Sequence, residues 1–205
     1  MNKDLLVLTA DADAEAIIKS VLARHQSLGV RQIEFEVMRH PMRDPGIFKE
    51  GPEFARLFKD KYNFLIIIFD HHGSGCNKST QECHQSIQSR LDGITWKDRS
   101  FSAVISPEIE EWLWFNKHSI CHFFNMTETE LQLLVGEYSD KHSKDPPKEK
   151  PKEVLDYVCY RKLKKNHLLP REYKAIASRA SLMDWQNSES FGSLVHQLRS
   201  WFPQQ

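Results

Sequence analysis

The chain has 205 residues, 40% of them hydrophobic and 27% charged, with 28 Lys and Arg balanced by 28 Asp and Glu. That composition is ordinary for a folded domain with a substantial core and excludes a disordered or low-complexity chain. No apolar run approaches the ~20 residues of a membrane helix, and MNKDLLVLTADADAEAII turns acidic early, without the small-residue cleavage site of a signal peptide. A cytoplasmic protein with no membrane contact is expected.

Cys76, Cys83, Cys121 and Cys159 form no CxxC pair, so neither a zinc ribbon nor a disulfide framework is indicated and reduced thiols are expected. Charge is uneven: residues 141 to 180 hold twelve Lys or Arg against five Asp or Glu. Such a patch suits DNA, RNA or an acidic protein surface, and suits equally a solvated linker with basic helix faces.

Leu5 to Thr9 reads as a buried strand, and Ala14 to Leu28 as a helix with Ile17, Ile18, Val21 and Leu22 at helical spacing. Asp11 or Asp13 can cap it, because a carboxylate accepts from the free N–H groups of a first turn. Gln32 to Met38 alternates Ile33, Phe35 and Val37 with Glu34 and Glu36, as a half-buried edge strand does. His40 to Gly51, with two prolines and two glycines, reads as loop, and Pro52 to Tyr62 as a short helix.

Phe64 to Gly75, FLIIIFDHHGSG, is a strand buried on both faces that ends in Asp70, His71 and His72. Thr80 to Leu91 reads as a helix and Phe101 to Ile105 as a further strand. Ser106 and Pro107 sit where a helix should start, before EIEEWLWF. Thr127 and Glu130 have capping-box spacing. Ser143 to Glu153, with three prolines among charges, reads as an exposed linker. Helices follow over 153 to 165, 171 to 180 and 190 to 202. The expected organisation is an α/β domain over 1–142, a linker over 143–152 and a helical C-terminal region over 153–205 that packs on the first. Strands alternating with helices predict an α/β fold: a mainly parallel sheet of about four strands, flanked by helices, with a helical C-terminal extension.

In open parallel sheets the C-terminal strand edge opens a crevice for ligands. Asp11 and Asp13, Asp70 with His71 and His72, and Glu108 to Glu111 should meet there. Hard carboxylate oxygens with an imidazole suit Mg²⁺ or Mn²⁺, which would polarise a phosphodiester and generate hydroxide. The same residues also have structural uses: Asp11 and Asp13 as helix caps, Glu108, Glu110 and Glu111 as partners of a helix dipole. Neither GxxxxGK[ST] nor GxGxxG is present, so a nucleotide loop is unsupported.

VLTADADAEAII resembles the first strand and helix of toprim domains, whose pattern is a strand, Glu-Gly, and then Asp-Ala-Glu; FDHHGSG lies where those domains carry Asp-x-Asp. PEIEEWLW resembles the Glu-Leu-Glu-x-Trp-Leu block of small toprim-like proteins of bacterial anti-phage defence loci, and SESFGSLVHQL their Ser-x-Ser-Phe C-terminal helix. The resemblance implies a toprim-like fold in a prokaryotic antiviral system, with other defence proteins as partners. It implies Mg²⁺ or Mn²⁺ on Asp13 and Asp70, the positions that match; Glu108 is expected to complete the metal shell, with Asp11, His72 and Glu111 as catalytic candidates for phosphodiester cleavage in place of the family's own residues. Two positions depart from the pattern: Thr9 stands for the general acid/base Glu, and His72 for the second Asp. The alternative is a non-catalytic module that binds protein or nucleic acid, the latter through Lys162, Lys164 and Lys165.

Overall fold

The computed structural model describes residues 2–142 and 146–204. Strands β1 (Lys3–Thr9), β2 (Phe35–Arg39), β3 (Tyr62–Asp70) and β4 (Ser100–Ile105) form one parallel sheet in the order β2-β1-β3-β4. The continuous apolar runs of β1 and β3 follow from burial on both faces. Leu5, Val7, Ile66 and Ile68 enter one core, whereas Leu6, Leu8, Leu65, Ile67 and Phe69 enter the other.

The first core is covered by α1 (Ala12–Leu22), the short α2 (His25–Leu28) and the helices after β4. These are α5 (Glu110–Trp114), α6 (Lys117–Phe124), α7 (Glu128–His142), α8 (Pro146–Glu149), α9 (Pro151–Leu163), α10 (Pro170–Arg179), α11 (Leu182–Trp185) and α12 (Glu189–Trp201). The second core lies under α3 (Arg43–Ala55) and α4 (Thr80–Gly93). The C-terminal helices thus share a core with the sheet, in which Trp112, Trp185 and Phe191 pack in edge-to-face and tilted contacts with ring centroids 5.0 to 6.0 Å apart. No helix among the described residues is long and apolar enough to cross a membrane.

Five expectations are corrected in detail. Of the Pro- and Gly-rich stretch His40 to Gly51 expected as loop, only the first three residues are non-helical, and α3 runs from Arg43. Pro45 falls in its first turn, where no N–H is needed, and the Phe48 carbonyl that Pro52 cannot serve accepts instead from Arg90 Nη1 at 2.7 Å. Gly46 is required there, because a Cβ would lie 2.5 Å from His40 Nδ1. The single helix expected over 14 to 28 breaks at Arg24, whose guanidinium turns to the Ala177 and Ala180 carbonyls at 3.2 and 2.7 Å and so closes the end of α10. The helix expected at Ser106 begins only at Glu110, after a cis Ser106–Pro107 peptide.

The expected linker is only partly testable, since 143–145 lie outside the described residues. Beyond them, Pro146–Glu149 is helical, and Pro151 starts α9, is buried, and accepts from Trp114 Nε1 at 2.9 Å. Proline in a first turn favours a helix, and this is what the charged composition concealed. Finally, Cys76 and Cys83 form a disulfide, while Cys121 and Cys159 are buried free thiols. The Gly73 and Gly75 turn, with φ of +83° and +81°, folds Cys76 back over the first turn of α4.

One local device matches expectation. Thr127 and Glu130 form the capping box, with Thr127 N–H donating at 2.7 Å and Glu130 N–H at 3.2 Å. The outer edge of β4 is closed at Ser102, where the His84 Nδ1 lies 2.7 Å from the Ser102 carbonyl.

Candidate functional site

From β1 the chain crosses to β2 on one side, and from β3 to β4 on the other. The loops after β1 and β3 therefore diverge, and the crevice of a doubly wound sheet opens between their C-terminal ends. Carboxylates from several elements converge on it.

Asp11 is the N-cap of α1, its Oδ1 accepting from Asp13 N–H at 3.0 Å and Ala14 N–H at 2.9 Å. Asp70 ends β3, and its Oδ1 accepts from Ile109 N–H at 2.9 Å, fixing the turn that leads into α5. The Asp70 N–H in turn donates to Asp44 Oδ1 at 2.9 Å, which brings the start of α3 to the same place. Glu110 is buried, 1% exposed; its Oε1 accepts from Tyr173 Oη at 3.1 Å and lies 3.5 Å from Lys152 Nζ. Its Oε2 has no hydrogen-bond partner among the described residues.

This grouping shifts proton affinities in one direction. Burial, then the charge of Asp11, pushes Asp13 up to about 6. Burial, then Glu110, pushes Glu108 up to about 7. Asp70 is raised well above the carboxylate range by burial and then by Glu110, Asp44, Glu108 and Asp11. Asp44 and Glu110 are raised chiefly by burial. Lys152 responds in the opposite sense: burial works against its charge, and Glu110, Asp11, Asp13 and Glu108 outweigh it, so its ammonium is held above its usual value. Lys152 is the cation of this cluster.

Comparison with protein-family models, with curated proteins and with solved structures finds no match.

Of the sequence-based candidates, Asp11, Asp13, Asp70 and Glu108 gather at the crevice. His72 lies on its rim, exposed, with Nδ1 3.7 Å from Glu108 Oε1. Thr9 is buried, its hydroxyl donating to the Met38 carbonyl at 3.4 Å. Glu111 points away from the cluster and accepts from Ser188 Oγ at 3.3 Å beside β4. Lys162 and Lys165 pair with Glu130 and Glu172, and Lys164 packs over Tyr160; Lys162 stands about 15 Å along α9 from Lys152. Asp44, Glu110 and Lys152 complete the site without having been singled out. Asp44 was hidden in a stretch that read as loop, Glu110 by its dipole role and Lys152 by its linker-like surroundings.

The donor set is of the oxygen-rich kind that Mg²⁺ prefers. Yet among the described residues no three His, Cys, Asp or Glu side chains stand together so as to hold a metal ion. Oxygens of Asp11, Asp44 and Asp70 are taken by backbone N–H groups, and Lys152 supplies the positive charge from within the chain. As arranged, the residues do not fit a resident divalent ion.

Proposed function

We propose that this protein is a non-catalytic binding component of a prokaryotic antiviral system, cytoplasmic, built on a toprim-like scaffold in which a tethered lysine stands where the related enzymes use a metal. One observation carries the reading: Lys152 lies against Glu110 and acts on Asp11, Asp13 and Glu108 together. The buried Thr9 and the outward His72, at two of the positions where toprim domains have acids, support it. A protein partner is favoured over DNA or RNA, because Lys162 and Lys165 already have local acids as partners.

The test is thermal unfolding with Mg²⁺ or Mn²⁺ at about millimolar concentration, beside a cleavage assay on plasmid and single-stranded DNA. Neither stabilisation nor cleavage is expected. Stabilisation by metal that Asp70→Asn abolishes would overturn the proposal. It would support the second reading, metal-dependent phosphodiester cleavage, which is favoured by the unpartnered Glu110 Oε2 beside Asp13, Asp70 and Glu108. Retention of DNA that weakens with salt and with neutralisation of Lys162, Lys164 and Lys165 would make nucleic acid the partner.

A further inference from the structure

A second cavity, of about 410 Å³, lies on the other side of the sheet edge, between α4, β4 and the start of α12. Its floor is Phe101 to Val104 of β4; one wall is Gln81 and His84, and the other is Glu111 with Ser188, Glu189 and Ser190. Among the described residues, no lysine or arginine lines it.

The wall residues Glu111 and Ser188 to Ser190 come from the sequence blocks PEIEEWLW and SESF, the first of which also supplies Glu108 and Glu110 to the carboxylate cluster. They are joined by a short relay. Trp112 Nε1 donates to Ser190 Oγ at 2.8 Å, Ser190 and Ser188 hydroxyls lie 3.1 Å apart, and Ser188 Oγ donates to Glu111 Oε2 at 3.3 Å. The relay fixes the Glu111 carboxylate in the cavity wall, half-buried. Burial raises its proton affinity, the Ser188 hydrogen bond works against this, Glu189 adds to it, and Lys148 opposes it from α8. A held, desolvated carboxylate with an exposed second one beside it, in a cavity that no described lysine or arginine lines, is complementary to a cation. The aromatic floor at Phe101 suits the stem of a long basic side chain.

Resting on the reading of the protein as a binding component, we infer that this groove is the docking site for a basic segment of a partner protein, with an Arg or Lys side chain seated between Glu111 and Glu189. The fixed carboxylate geometry favours Arg, whose planar fork can engage it with two N–H groups.

The test uses the full chain and fluorescein-labelled alanine-based nonapeptides with a central Arg, Lys or Glu. Binding is read by polarisation at low salt and by the Trp112 indole N–H resonance, which reports on Ser190. The Arg peptide is expected to bind most tightly, the Glu peptide not at all, and the Trp112 signal to move on titration. Glu111→Gln with Glu189→Gln should weaken Arg-peptide binding roughly tenfold, in line with the loss of a charge-assisted contact. Ser193→Trp, which fills the mouth while keeping both carboxylates, should also weaken it. Equal binding of all three peptides, or wild-type affinity in both variants, would overturn the inference. A metal response in the thermal assay, with Arg-peptide binding intact, would remove the non-catalytic reading and leave this one standing.

Discussion

Lys152 Nζ lies 3.5 Å from Oε1 of Glu110, a carboxylate whose other oxygen has no partner among the described residues. One ammonium is thus shared among several acids at the end of a parallel sheet, and the site's electrostatics turn on it.

Removing that ammonium should expose the repulsion it offsets. Lys152→Met is expected to destabilise the protein by about 1–2 kcal/mol at pH 8, a buried-pair loss discounted for the partial exposure of the lysine. The loss should be smaller at pH 5, where the carboxylates take up protons. The same variant should gain stabilisation by millimolar Mg²⁺ that wild type lacks; urea titrations with and without Mg²⁺ check both.

The pH dependence has a definite sign. Asp13 at about 6 and Glu108 at about 7 bind protons more tightly folded than unfolded. Their contribution is therefore fully present below about pH 4, the unfolded carboxylate range, and is lost as pH rises through 6 to 7. Carboxylates held low by partners, such as Asp4 with Arg31, work the other way and lose their contribution only in strong acid. Stability should therefore be greater at pH 5 than at pH 8, and the difference should shrink in the Asp13→Asn, Glu108→Gln double variant, as read by melting curves across pH.

Asp70 separates charge from hydrogen bonding. Asp70→Ala leaves the Ile109 N–H without its acceptor and should cost about 1–3 kcal/mol. Asp70→Asn keeps an acceptor and removes a charge from the cluster, so its melting temperature at pH 8 should equal or exceed that of wild type. Calorimetry on the two variants would show an asparagine as harmful as an alanine if the charge were the useful part.

Arg90 holds α3 together at its proline. Its Nη1 reaches the Phe48 carbonyl at 2.7 Å, and it pairs with Glu53 on the same helix. Arg90→Ala should cost about 1–3 kcal/mol through the unserved carbonyl, whereas Glu53→Ala, which removes only a surface ion pair, should cost below about 1 kcal/mol. Hydrogen exchange at the Gly51 and Glu53 amides would localise the loss.

What the sequence made readable was periodicity. FLIIIFD and LLVLT read as doubly buried strands, and the order of strands and helices carried the parallel sheet and the ligand edge. The gathering of Asp11, Asp13, Asp70 and Glu108 followed from that order alone. What stayed hidden depended on distant partners. A proline at position 52 ends a helix unless an arginine from another helix serves the stranded carbonyl, and no local pattern announces Arg90. Lys152 read as part of a charged linker because the acids that hold it lie more than 40 residues upstream. The choice among Glu108, Glu110 and Glu111 rested on where α5 begins, three residues beyond the proline expected to start it.

The bond between His84 and the Ser102 carbonyl has a consequence for the company the sheet can keep. A strand from another molecule that came alongside β4 would find that acceptor already engaged by an imidazole rooted in α4. The ladder cannot be extended there without first prising a helix side chain away. At that one position the free edge of β4 is engaged from within the chain.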